Sequence, residues 1–179
     1  MKTPQRNGQS AEELRVNLEK TPAIRPLTPE NAGILGVATL GNMNWCGERF
    51  TCEDIQADPV IAHYTVFDPE RGDFGFIMTR DSVIIGVAWA QFLGRGDPGY
   101  GFVDDGVPEV SLWVSPEDRG TGHGRRLLQR LLLESSSRGH GRLSLSVESG
   151  NRARDLYTSE GFVPVPGREQ DGVMLWRVP

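Results

Sequence analysis

The chain has 179 residues, enough for one domain that buries roughly two thirds or more of its unfolded surface without disulfide or metal staples. With 24 acidic against 19 basic residues its formal net charge is -5, which argues against a nucleic-acid partner, because such binding needs clustered Lys and Arg to displace counterions. The longest apolar runs are far too short to cross a bilayer, and two cysteines with no basic, apolar leader fit a soluble, reduced, cytoplasmic protein.

Residues 1–20 begin polar and then place Leu14 and Leu18 four apart, which reads as an N-terminal arm or short helix; residues 21–179 form the domain proper. Ala23-Ile24-Arg25-Pro26-Leu27 alternates like a first strand. Thr28-Pro29-Glu30 then supplies an N-cap, a Pro at the first helical position and an acid in the first turn, so a helix should run to about Met43. Thr51 and Asp54 have capping-box spacing at the start of a second helical region, which Pro59 interrupts or restarts. These helices are expected to cover one sheet face. Residues 74–78 and 82–92 read as two strands joined by Thr79-Arg80-Asp81, with Gly86 placed to mark a bulge. The loop 94–106 is rich in Gly and carries Asp97, Asp104 and Asp105. It is either a solvated surface loop or an acidic lip that attracts an amine.

A β-rich run at 110–114 follows, and then Arg119-Gly120-Thr121-Gly122-His123-Gly124 leads into a Leu-rich helix. Leu127, Leu128, Leu131 and Leu132 make that helix amphipathic. Three alternating glycines at a strand-to-helix junction leave backbone N–H groups uncovered, at a helix end whose first amides lack partners and carry partial positive charge. Such a junction cradles phosphate. Leu143, Leu145 and Val147 alternate with serines as the next strand, completing a right-handed parallel crossover. A last helix from about Asn151 to Ser159 stops at Gly161, and a terminal strand covers 173–178.

Spacing selects among phosphate ligands. A Walker A loop needs Lys and Ser or Thr after its last glycine, and Gly124 is followed by Arg125-Arg126. A dinucleotide fingerprint needs G-x-G-x-x-G close behind its strand; here the glycines run G-x-G-x-G, with Glu148 left as the acid that would serve it. The six residues match Q/R-x-x-G-x-G/A instead. Together with the strand VPEVSLWV and the later SVESGNRARDLYTSEGF, they resemble the GNAT superfamily of N-acetyltransferases. In that last block Asn151, Ala153, Leu156, Tyr157, Gly161 and Phe162 fit the family's N-x-x-A-x-x-L-Y-x-x-x-G-F pattern, except that one residue rather than two separates Asn151 from Ala153.

The resemblance implies an α/β fold of the α+β kind: one domain with a mixed, mostly antiparallel sheet of six to seven strands, splayed between strands 4 and 5 and flanked by about four helices. It also implies acetyl-coenzyme A as cosubstrate and no metal. The pyrophosphate would lie on the amides of Gly120, Thr121, Gly122, His123, Gly124 and Arg125 beside Arg119, with Asn151 as a further contact. The backbone of Leu112, Trp113 and Val114 would pair with the pantetheine arm like an added strand, one N–H there serving the thioester oxyanion. A Cβ at Gly122 or Gly124 would obstruct that approach.

The implied reaction is direct attack of a neutral primary amine, on a small molecule or a peptide, on the thioester. It needs a base near the acceptor and a proton for the departing thiolate. Glu109, on one alternating face with Ser111 and Trp113, is either that base or a strand-end carboxylate in water. Tyr157 matches the family's acid and otherwise reads as a core aromatic beside Phe162. His63 and His140 have no metal-ligand spacing, and Trp45, Trp89 and Trp176 read as packing residues. Partners expected are acetyl-coenzyme A, a small cationic amine acceptor and a second copy in a homodimer. The competing reading is a non-catalytic acyl-coenzyme A sensor.

Overall fold

The structure, a computed structural model, describes residues 21–178. The expected arm at residues 1–20 lies outside the described residues. Seven strands form one sheet in the order β1-β2-β3-β4-β5-β7-β6. They are β1 (Ala23–Pro26), β2 (Phe74–Arg80), β3 (Val83–Gln91), β4 (Glu109–Val114), β5 (Arg142–Ser146), β6 (Val163–Pro164) and β7 (Val173–Arg177). Neighbours are antiparallel except β4 and β5. The described α-helices are α1 (Ile34–Met43), α2 (Cys52–Ala57), α3 (Pro59–Ala62), α4 (His123–Ser137) and α5 (Ala153–Ser159). That is one more than expected, because Pro59 restarts the second helical region as a separate turn capped by Asp58.

Local signals explain most boundaries. Thr51 and Asp54 form the capping box, Thr51 N–H donating to Asp54 Oδ2 at 2.7 Å and Asp54 N–H to Thr51 Oγ1 at 3.2 Å. The first helix begins later than its Pro suggests. Thr28 N–H is satisfied by Asn31 Oδ1 at 2.9 Å, which closes a separate 3-10 turn, and the α-helix starts only at Ile34 after Gly33. The β2–β3 hairpin turns on Asp81 and Ser82, both left-handed at φ 49° and 65°, the geometry of a tight two-residue turn. Its ladder steps from Met78↔Gly86 to Thr79↔Ile84, so Ile85 is the extra residue of a bulge next to the glycine expected to mark one. Gly86 has a packing reason as well, since a Cβ there would press on Leu127 Cδ1 at 2.9 Å.

Alternation along the strands divides the interior in two. Phe74, Phe76, Met78, Val110, Leu143 and Leu145 face α4 and α5 with Leu127, Leu128, Leu131 and Leu132. Ile77, Val87, Trp89 and Trp113 face the other way, onto Leu35, Ala38 and Tyr64 of the N-terminal helical layer. Gly41 lets α1 lie close on β4, where a Cβ would collide with the Trp113 indole. Each fully buried Leu on α4 contributes roughly 1.5 to 3 kcal/mol of burial, so this layer rigidly carries whatever sits at the start of α4.

The parallel contact of β4 with β5 is a single register pair, Glu109↔Ser144, joined by Ser144 N–H to Pro108 O at 3.0 Å. Beyond it the strands part. β4 continues along β3 to Val114↔Gly86, and β5 follows β7 through Ser146↔Val173. The sheet therefore opens as a V toward the C-terminal ends of both strands.

Candidate functional site: a glycine cradle at a sheet opening

The cradle stands at the open end of this V. After β4 a 3-10 turn, Pro116–Asp118, leads to Gly120 at φ +74° and Gly122 at φ +85°, and α4 starts at His123. Both angles lie in the left-handed region, which a side chain makes costly. A Cβ on Gly122 would meet open space, and one on Gly124 would make ordinary contacts with Leu112, Leu156 and Val114. Within the chain, the requirement for glycine at 122 is thus conformational; Gly124 borders the slot between β4 and α5. Among the described residues no carbonyl accepts from the amides of residues 120–125, and the first helical bond is Arg126 N–H to Gly122 O at 3.1 Å. Six successive amides thus lead into a helix N-terminus without a carbonyl partner among the described residues, the chemistry that holds a pyrophosphate.

A network invisible in sequence fixes this loop. Asp118 is buried and bridged by both guanidinium nitrogens of Arg80 on β2, the longer contact being 3.2 Å, while Ser115 Oγ donates to it at 2.7 Å. The Ser115 hydroxyl, and then Arg80, hold its carboxyl below the ordinary range. Thr121 Oγ1 donates to Asp118 O at 2.6 Å, and Arg119 Nε to Val114 O at 3.1 Å. Arg125 is paired with Glu160. His123 is half-buried, and its Nδ1 is a buried atom with no partner among the described residues.

Strand register divides the three β4 residues expected to meet the pantetheine arm. Ser115 N–H donates to Ile85 O on β3 at 2.9 Å, and Pro108 O faces β5. Backbone groups of an antiparallel strand alternate sides, so Trp113 turns its N–H and C=O to β3 while Leu112 and Val114 turn theirs to the opening. Trp113 instead contributes its side chain to the α1 face. Asn151 uses its side-chain oxygen to accept Ala153 N–H at 2.9 Å, a local turn just ahead of α5. Tyr157 on α5 packs edge-on against Phe162 in the main core, and burial pushes its phenol up to about 12. It is therefore protonated at any working pH. Of the tryptophans expected to pack, Trp89 and Trp176 are buried, whereas the half-exposed Trp45 donates its indole N–H to Glu148.

Glu109 sits at the apex of the V and is only 5% exposed, which removes the reading of a strand-end carboxylate in water. Its Oε1 accepts Tyr64 O–H at 2.6 Å and Gly101 N–H at 2.8 Å, while Oε2 is buried without a partner. Burial raises its pKa from 4.5 to about 7, against the opposing hydrogen bonds of Tyr64 and Gly101 and the more distant Arg168. Such a carboxylate can exchange a proton near neutrality. The acids of loop 94–106 are largely occupied: Asp104 faces Arg142 and Asp105 faces Arg95, each at 3.7 Å, and Asp97 meets His63 Nδ1 at 3.0 Å. Asp58 and Glu148 lie close enough to Tyr100 to raise its phenol pKa after burial has done so, and Glu148 is itself paired with Arg49 at 3.2 Å. Both free cysteines are exposed, and among the described residues no cluster could hold a metal and no helix is long and apolar enough to cross a membrane.

A family model described as Acetyltransferase (GNAT) family matches residues 37–162. No curated protein matches. Among solved structures, a GNAT-family acetyltransferase from Staphylococcus aureus Mu50 superposes with TM-score 0.66 at 12% identity, covering 89% of this chain and all of the other. A GNAT-family acetyltransferase from Brucella melitensis in complex with acetyl-CoA gives 0.61 at 15%, covering 89% and 90%. The PaiA N-acetyltransferase from Thermoplasma acidophilum in complex with coenzyme A gives 0.59 at 17%, covering 88% and 99%.

Proposed function

We propose, from the premise that this chain belongs to the GNAT acetyltransferase family, that it is a cytoplasmic enzyme moving an acetyl group from acetyl-coenzyme A to a primary amine on a small, cationic molecule or a peptide. The observation that carries this reading is a run of six amides at residues 120–125 that no carbonyl among the described residues accepts, beside an opening whose β4 edge presents the backbone of Leu112 and the N–H of Val114. The cradle suits a pyrophosphate and the strand edge suits the amides of a pantetheine arm. Bound there, acetyl-coenzyme A supplies an activated acetyl thioester and needs no metal from the protein.

The chain's own residues supply position and proton management. The cradle and the Leu112 and Val114 edge hold one reactant, and the apex holds the other, so proximity provides much of the rate. Glu109, with a pKa near neutrality, takes the proton that the amine must lose. Tyr157, kept neutral by burial, donates a hydrogen bond to the departing sulfur. Asp58, beside the 44%-exposed Tyr100, favours a cationic acceptor over a neutral or anionic one. Calorimetric titration tests the binding half: a folded sample that takes up no acetyl-coenzyme A at millimolar ligand sinks the proposal. An acetyl-coenzyme A consumption screen across amine classes tests transfer, and binding without turnover on any amine would favour an acyl-coenzyme A sensor.

A further inference from the structure

Tyr64 is not part of the family resemblance in the sequence, yet everything around it converges on Glu109. It lies in the short turn His63–Thr65 after α3. That turn is fastened to β3 by Gln91, fully buried, whose Nε2 donates to His63 O at 2.8 Å and Val66 O at 2.7 Å while its Oε1 accepts Trp89 Nε1 at 3.0 Å. On the far side the loop comes down as Pro98-Gly99-Tyr100-Gly101-Phe102. Tyr100 N–H donates to Tyr64 Oη at 2.7 Å, and the two rings stack with centroids 6.1 Å apart. Neither Gly99 nor Gly101 has a positive φ, but each stands where a side chain cannot: a Cβ on Gly99 would strike Glu109 Oε2 and Tyr64 Oη, and one on Gly101 the backbone of Leu145. The glycines therefore bring the loop onto the carboxylate for contact, not for turn geometry.

From this arrangement we infer that Tyr64 is the positioning residue of the proton acceptor Glu109: with Gly101 N–H it saturates Oε1 and directs the proton onto Oε2. The inference rests on Glu109 being the base of the proposed transfer. Oε1 already accepts two hydrogen bonds, whereas Oε2 is buried and unpartnered. When the amine is deprotonated, its proton forms an O–H bond at Oε2, the carboxylate becomes the neutral acid, and the proton later leaves to solvent. Tyr64 keeps its own proton throughout, since burial and then the neighbouring carboxylate push its phenol well above the ordinary value. The titratable or charged groups facing Glu109 are Tyr64 from the turn and Arg168 from the β6–β7 connection; His63, paired with Asp97, and Tyr100 lie one layer out against Tyr64.

The test is Tyr64→Phe, which keeps the ring and removes the donor. Loss of a hydrogen bond to the charged form should raise the acid limb of kcat/KM by about one pH unit or more, with rates converging on wild type at alkaline pH where Glu109 is ionised in both proteins. The midpoint of a carbon-13 NMR titration of the Glu109 carboxyl, read without substrate, should rise by the same amount. Placing 3-fluorotyrosine at position 64, a stronger donor, should move both readouts down and guards against a Phe variant that folds poorly. Coincident shifts support the inference. Carboxyl midpoints within about two tenths of a unit across the three proteins overturn it, whether or not any amine is acetylated. Shifted midpoints together with full turnover in Glu109→Gln overturn the base assignment, and with it the catalytic role of Tyr64. Absence of turnover in all proteins tells against the transferase reading, while the titration still decides the coupling.

Discussion

Replacing Glu109 by Gln probes the buried charge at the apex directly. In the unfolded chain this carboxyl titrates at its ordinary value of 4.5, and in the folded protein at about 7. A raised carboxylate pKa means the folded state holds its proton more tightly. The charge therefore costs nothing where both states are protonated, below about 4.5, and its cost grows as pH rises until it is complete above about 7. The rise from 4.5 to about 7, at 1.36 kcal/mol per pH unit, corresponds to about 3 kcal/mol. Gln keeps the shape and an acceptor oxygen for Tyr64 and Gly101 but carries no charge. Its stability relative to wild type should therefore climb by about 2.5 kcal/mol between pH 5 and pH 8.5, or about 5 to 10 °C in Tm for a chain of this size. Thermal melts of both proteins at matched ionic strength read this difference, and other titrating groups cancel. A Tm difference flat to within about 1 °C across that range would refute the reasoning.

Gly122→Ala forces a Cβ onto φ +85° at the start of α4 and should lower stability by about 1 to 2 kcal/mol, with coenzyme A affinity falling further because the cradle amides are re-aimed; melting and calorimetry separate the two effects. Tyr157→Phe should reduce turnover by about tenfold or more while leaving acetyl-coenzyme A affinity within about twofold, checked by steady-state kinetics beside calorimetry. Leu131→Ala, in the fully buried stripe of α4, should cost about 2 to 5 kcal/mol in denaturant melts. Gly41→Val should destabilise the α1 layer by more than about 1 kcal/mol, since even a Cβ collides with the Trp113 indole, and near-ultraviolet circular dichroism of the tryptophans should change with it.

Short-range physics made much of this molecule legible from its residues. The Thr51 and Asp54 box, the Pro59 restart, the alternation of β4 and the Leu stripe of α4 each depend on neighbours within a few positions, and each stands where the pattern placed it. The glycine cradle was legible for the same reason: its φ angles and unpaired amides follow from Gly120, Gly122 and a helix start in one short stretch. What tertiary structure decided was which partners distant segments supply. Whether Trp113 offers its backbone to the opening depends on the ladder with β3, and whether Glu109 is wet or dry depends on Tyr64, 45 residues earlier, and on a loop that closes over it. The acids of that loop looked like a lip for an amine because the arginines and histidine that pair with them come from elsewhere in the chain or from the loop's own fold. Sequence sets what each residue can donate, accept or bury. Only the packed sheet decides which of those capacities are already spent and which, like Glu109 Oε2 and the six cradle amides, are left without a partner among the described residues.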